Sequence, residues 1–333
     1  MRVGLDTFTI RELQLDPFQT LDFIQSRGLQ GAQFSVLKSL SKSLDPGEIK
    51  AVRQYADDRG LYTHVSSSIC NPCLVADPDV HRRIIEEEIR LAAECGWHEL
   101  HSSLGAGDER YSHVTPWTEQ LSLSAKFIRS LGPVLREYGS RINLETHGDT
   151  STFELVRLVE EVGPSIAGIC LDTANVLCHA EDPVAAARRA APYTHMTHIK
   201  DAIAVLIPTG YRRQTLPAGK GALDWKVILP ILAEYSPDLP LSIEDHKWLF
   251  DYPIFERDWL SLHPDLTREE LARVVQIALR CQERISSGEL PDPAEYEKVP
   301  FLEELEARIG AGRDYLKSII KRLGLESPDL TKL

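Results

Sequence analysis

Short apolar runs alternate with amphipathic stretches along most of the chain. Read as strands, the runs are Val3–Asp6, Gly31–Phe34, Leu61–Ser66, Glu99–Ser102, Ile142–Thr146, Ala167–Asp172, His195–Lys200 and Leu241–Asp245. The stretches between them have helical spacing. Residues 17–27 present Phe18, Leu21, Phe23 and Ile24, and 116–137 are long and periodic. Asp45-Pro46, Asp77-Pro78 and Asp182-Pro183 each put a capping carboxylate before a proline, the residue pair that starts a helix. Residues 153–162 run into Gly163-Pro164, a stop signal, and further helices are predicted over 224–235 and 267–284. Strands alternating with helices in this way predict an α/β fold, a closed (β/α)8 TIM barrel over residues 1–285. Beyond it, 286–300 are polar and hold Pro291, Pro293 and Pro300, and 301–323 are helical again. Residues 286–333 therefore read as a C-terminal helical arm, packed on the barrel or on a second copy in a homo-oligomer. Residues 67–78, 103–115 and 201–223 read as long loops after strand C-terminal ends, where barrel enzymes build their sites.

Composition narrows the function classes. The 333 residues are 43% hydrophobic and 26% charged, with 37 basic and 50 acidic side chains and a net charge of −13. Such a chain lacks the phosphate attraction that nucleic-acid binders use, so nucleic acid and anionic membrane surfaces are not expected partners. No run nears the roughly 18 apolar residues of a membrane helix, and no signal peptide is visible. Six scattered cysteines, with Cys70 and Cys73 as one isolated CxxC, point to a reduced, cytoplasmic protein. Neither G-x-G-x-x-G after the first strand nor G-x-x-x-x-G-K-[ST] occurs, which argues against dinucleotide and nucleotide-triphosphate sites.

The last four predicted strands each end in a residue able to ligate a metal: Glu145, Asp172, His198 and Glu244. A buried carboxylate is costly unless paired or coordinated. Three carboxylates and an imidazole at one height on neighbouring strands suit a single divalent ion, Mn²⁺ or Mg²⁺, with Co²⁺ as a further candidate. Strand alternation puts His147, Lys200 and His246 on the same faces as Glu145, His198 and Glu244, one step nearer the mouth. They are expected to rim a substrate pocket above the ion. Arg212-Arg213 and Lys247 would add cations there, which suggests an anionic substrate group.

These four residues resemble the metal site of the xylose-isomerase-like TIM-barrel superfamily, which includes sugar-phosphate isomerases and epimerases. Val3–Thr9, Thr197–Asp201 and Gly219–Trp225 are also similar to that group. The resemblance implies proton transfer beside a carbonyl through a metal-bound enediolate, on a sugar or sugar-acid substrate. Glu145 and Glu244 would be base and conjugate acid, and His147 the other catalytic candidate. Lys200, Arg212, His246 and His101 are the substrate-binding candidates. Asn175, where ketose 3-epimerases carry a histidine, and the insertion after Lys200 depart from a plain 3-epimerase. The runs Glu145–Asp149 and Ile243–Lys247, with the C-terminal arm, look most like the 3-oxo-isoapionate decarboxylase branch. There, loss of CO₂ from a 3-oxo sugar acid would leave the same enediolate. Sugar isomerase or epimerase is the alternative, and C-glycoside deglycosidase catalytic subunits look similar. An endonuclease-IV-like nuclease and a non-catalytic sugar-binding barrel are remote rivals.

Overall fold

The computed structural model describes residues 1–105 and 107–326. Its strands in chain order are β1 (Arg2–Asp6), β2 (Gly31–Val36), β3 (Tyr62–Ser66), β4 (Glu99–Ser102), β5 (Arg141–Glu145), β6 (Ala167–Asp172), β7 (Thr194–Ile199), β8 (Asp201–Ile207), β9 (Gly210–Leu216), β10 (Pro240–Ile243) and β11 (Leu249–Tyr252). Eight of them close a parallel barrel in the order β1-β10-β7-β6-β5-β4-β3-β2, with helices between successive strands: a TIM barrel. Each predicted strand overlaps one of these staves.

Alternation along the staves builds two packed regions. Val3, Leu5, Val65, Leu100, Ile142, Leu144 and Leu241 are buried in the hydrophobic core. Inside the barrel Tyr62 reaches across to Ser242, 3.1 Å from its hydroxyl. Gly4 and Gly31 make room for that ring: a Cβ at Gly4 would stand 2.1 Å from the Tyr62 hydroxyl, and one at Gly31 2.3 Å from the ring. Two of the three expected caps form, Asp45 accepting from Glu48 N and Asp77 from Asp79 and Val80 N, while Asp182 stands at its helix start without a side-chain cap hydrogen bond. The helix expected over 116–137 breaks into Trp117–Ser130 and Gly132–Glu137. Pro133, lacking an N–H, sits in the first turn of the second piece.

Two departures matter for the site. The segment 201–223, expected as a loop, is a hairpin of β8 and β9, joined by β11 into a three-stranded antiparallel sheet. The helix Arg268–Ser286, expected as the eighth helix of the barrel, packs on β8 instead. Ile203 and Leu216 of the hairpin, Cys281 and Leu290 form a small second core there. The outer wall over β1 and β10 is covered by the last helix, Phe301–Leu323, which also meets the helix Trp225–Tyr235. It buries Leu305, Ile309, Leu316, Ile319 and Ile320 in the main core. Arg308 of that helix forks onto Asp245, Nε to Oδ2 at 2.7 Å and Nη2 to Oδ1 at 2.6 Å, with both side chains buried. Lys247 donates to the carbonyls of Tyr296 and Val299 at 2.8 Å. The segment after β10 is thus tied to the C-terminal helix. Among the described residues no helix is long and apolar enough to cross a membrane.

Candidate metal centre

The strand ends β5, β6 and β7, with the residue after β10, bring Glu145, Asp172, His198 and Glu244 together. One ligand atom from each lies within 4.8 Å of all the others, and all four residues are buried. Parallel register does this: Asp172 pairs with His198, Glu145 with Cys170 and Ser242 with His198, so each side chain leaves its strand at a matching height.

His198 is oriented from both sides. Its Nδ1 lies 3.0 Å from Glu145 Oε1 and 2.7 Å from Glu244 Oε2. Its Nε2 meets the Gln33 side-chain amide at 2.6 Å, and Gln33 Oε1 has no hydrogen-bond partner among the described residues. The amide nitrogen of Gln33 is the atom at the ring, so it donates to Nε2 and leaves Nδ1–H to donate to Glu145 Oε1, beside Glu244 Oε2. A cation held by those two carboxylates would take the place of that proton on Nδ1. Asp172 Oδ1 accepts from Ala174 and Asn175 N at 3.0 Å, while Oδ2 lacks a hydrogen-bond partner, as does Glu244 Oε2. Asp172 Oδ2 and Glu244 Oε1 do lie near Lys200 Nζ, at 2.6 and 3.0 Å. Three carboxylates, one ammonium and a neutral imidazole leave two negative charges, the charge one divalent ion carries. The donor set, oxygen-rich with one imidazole, fits such an ion.

The electrostatics tell the same story. Burial opposes the charge on Glu244, but Lys200 and His198 outweigh it and hold the carboxyl well below its usual range. Glu145 is likewise held low against its burial by His198 and by hydrogen bonds from His101 and His198. Asp172 goes the other way: burial raises it, and Lys200 only partly offsets that. The His198 imidazole is lifted well above its ordinary value, its burial outweighed by Cys170, Glu145 and Glu244. This is how the cluster behaves when it must borrow a proton to balance its charge.

A cavity of about 620 Å³ opens above the cluster. His147, His101, Lys200 and His246 line it. Lys200, expected on the rim, lies at the level of the ligands between Asp172 and Glu244. His101 braces Glu145, with Nε2 3.0 Å from Oε2 and Nδ1 2.9 Å from Ser66 Oγ. His246 packs on Trp248 at 4.0 Å between ring centroids, and burial keeps its imidazole neutral. His147 lies 3.5 Å from Asp149, a wholly buried carboxylate. Burial pulls His147 down, but Asp149 and Glu145 together outweigh it and raise the ring to about 9. Arg212 is corrected outright. It does not line the cavity but pairs with Asp251 at 2.6 Å on the exposed side of the sheet. Neighbours on a strand face opposite ways, so Arg213 occupies the wall instead.

Several groups escaped the sequence reading: Asp6 and the aromatic rim of Phe8, Trp248, Phe250, Tyr252 and Trp259 on the cavity wall, and Gln33 against the His198 ring. The apolar run 202–207 followed by Pro208-Thr209-Gly210 was a legible hairpin signal, and it would have set the parity of Arg213. Gln33 carries no local signal.

The profile of the xylose isomerase-like TIM barrel family matches residues 21–273. The chain belongs to that family. Over 229 residues it is 26% identical to the uncharacterized protein YihM of Escherichia coli K12, a match that takes in 67% of this chain and 64% of that relative's length. Among solved structures, an L-ribulose 3-epimerase is similar at TM-score 0.61 and 18% identity, covering 97% of this chain and 95% of its own. The 3-keto-D-glucoside 4-epimerase YcjR of E. coli is similar at TM-score 0.57 and 15% identity, covering 80% and 100%. At such identities the likeness is one of fold.

Proposed function

We propose that the protein is a divalent-metal-dependent isomerase or epimerase of a sugar, moving a proton at a carbon beside a carbonyl. The observation that carries this reading is the convergence of Glu145, Asp172, His198 and Glu244, all buried, with one ligand atom of each within 4.8 Å of the others. The epimerase titles of the similar folds support it. An ion held by those four residues would supply Lewis-acid polarisation of the carbonyl oxygen, a stabilisation of several kcal/mol (order of magnitude).

The chain's own groups do the rest. Glu145 and Glu244, from different strands, both reach His198 Nδ1 and both line the cavity, where one can take a proton from a carbon and the other return it. A positioned base of this kind contributes roughly 10²–10⁴-fold. His147, on the cavity wall beside Asp149, is placed to exchange a proton with the substrate. The aromatic rim gives apolar faces for a sugar ring and excludes water. Decarboxylation of a 3-oxo sugar acid is a second reading, favoured by a buried cation on the cavity wall; it would break a C–C bond where the first breaks C–H.

The test is incubation of the Mn²⁺-loaded protein with ketoses and 3-oxo sugars in D₂O. Deuterium entering the recovered sugar is the expected result. CO₂ release, with deuterium only in the shortened product, would favour the second reading, and neither outcome in any sugar would refute both.

A further inference from the structure

The wall of the cavity holds a cation that the centre does not use. Arg213 of β9 is 2% exposed, yet no carboxylate forms an ion pair with it among the described residues. Its Nη1 donates to two neutral acceptors, the Ala174 carbonyl at 3.1 Å and Asn175 Oδ1 at 2.9 Å. Among the described residues Nε is buried without a hydrogen-bond partner, and the hydrogen bonds found for the group are those of Nη1. The rings of Phe250 and Tyr252 lie 5.9 and 5.8 Å from the guanidinium carbon, which softens the charge without neutralising it. Lys200 differs, being held by Asp172 and Glu244. Other buried guanidinium groups of the chain are matched, Arg110 by Glu154 and Arg308 by Asp245. A lone buried cation costs several kcal/mol unless something compensates it. An arginine edge with unused donors is shaped for a planar carboxylate.

We infer that Arg213, a buried guanidinium lining the cavity with its Nε/Nη2 side unpartnered, binds a carboxylate, and that the sugar handled here is a sugar acid. This rests on the sugar chemistry proposed above and adds the substrate class. One guanidinium matches one negative charge; a phosphate dianion would keep a second charge without a partner in an apolar surround. Arg213 lies outside the four-residue cluster, so its role is to select the substrate. The adjacent Asn175 holds its orientation.

The experiment compares keto sugars that differ in one group. Mn²⁺-loaded full-length protein is titrated calorimetrically with D-fructuronate and D-tagaturonate, with D-fructose and D-tagatose, and with D-fructose 6-phosphate. At least one acid is expected to bind tenfold or more tightly than its parent ketose and than the phosphate. Arg213→Gln is expected to erase that ratio and Arg213→Lys to keep part of it. Equal binding of acids and ketoses, preference for the phosphate, or an acid preference that survives Arg213→Gln overturns the inference. Should Arg213→Gln fail to fold, the wild-type ratio and Arg213→Lys decide. Proton exchange into neutral ketoses without acid preference removes this inference and keeps the proposed function. Arg213-dependent acid binding without exchange or CO₂ release does the reverse.

Discussion

An imidazole ligates an ion only through a nitrogen that carries no proton, and Gln33 holds the His198 ring by Nε2, leaving Nδ1 toward the carboxylates. Removing such a support costs roughly 10–100-fold in metal affinity. Gln33→Leu is therefore expected to weaken Mn²⁺ binding by that factor, read by calorimetry, while the ligand residues stay intact; unchanged affinity would show that the ring needs no partner. Glu145→Gln and Glu244→Gln each remove a charge from the cluster. Both are expected to lose turnover and weaken metal binding while keeping the barrel's circular dichroism. Wild-type exchange rates in both variants would refute their role. His147→Ala is expected to lower kcat more than metal content, because the ring lines the cavity but lies outside the ligand set. Loss of metal in step with activity would make it a structural support.

Among the elements, the hairpin and the last helix shape the site from outside the staves. The hairpin exists because 202–207 and 211–216 alternate between two packed faces, one on the helix Arg268–Ser286 and one on the cavity. That alternation separates Arg212 from Arg213. The last helix holds the segment after β10 through Arg308 and Asp245, next in sequence to the proposed ligand Glu244. Breaking a buried ion pair by deleting one member costs about 3–5 kcal/mol, because the other charge is stranded. Arg308→Ala is expected to lower stability by that amount in urea melts and to weaken metal binding with it. A loss under 1 kcal/mol would mean that water reaches Asp245.

For the whole molecule, stability depends on pH through buried rings as well as through the cluster. His263 stacks on Trp259 at 3.7 Å, donates through Nδ1 to the Trp259 carbonyl at 2.8 Å, and is lowered to about 3 by burial and then by Arg110. The unfolded ring titrates near 6.5. The depressed folded value means that the unfolded chain takes up the proton first as pH falls. The contribution of the neutral ring is whole above about 6.5 and drains away as pH drops toward 3. Glu181, raised to about 7 by burial, works in the opposite direction, so the wild-type curve alone mixes the two. The difference in Tm between wild type and His263→Gln isolates the ring. It is expected to hold level down to about pH 6.5 and to shrink from there to pH 4.5, and a difference constant over that range would contradict the assignment.

The alternation of strands and helices, the helix starts capped by Asp45 and Asp77 and the height of Glu145, Asp172, His198 and Glu244 on their strands were legible in the chain, because each is set by local spacing and hydrogen bonding. What the chain could not reveal was the company those residues keep. Gln33 and Asp6 reach His198 only because β2 and β1 close the barrel opposite β7. Lys200 moves down among the ligands because three clustered carboxylates attract its ammonium. Arg213 rather than Arg212 faces the cavity because the hairpin's register with β11 fixes which side is in. The sequence by itself determined a (β/α)8 barrel and the residues at its strand ends, since periodicity is local; tertiary structure alone decided which charges meet, since Coulomb and desolvation energies depend on distances that only the closed barrel sets.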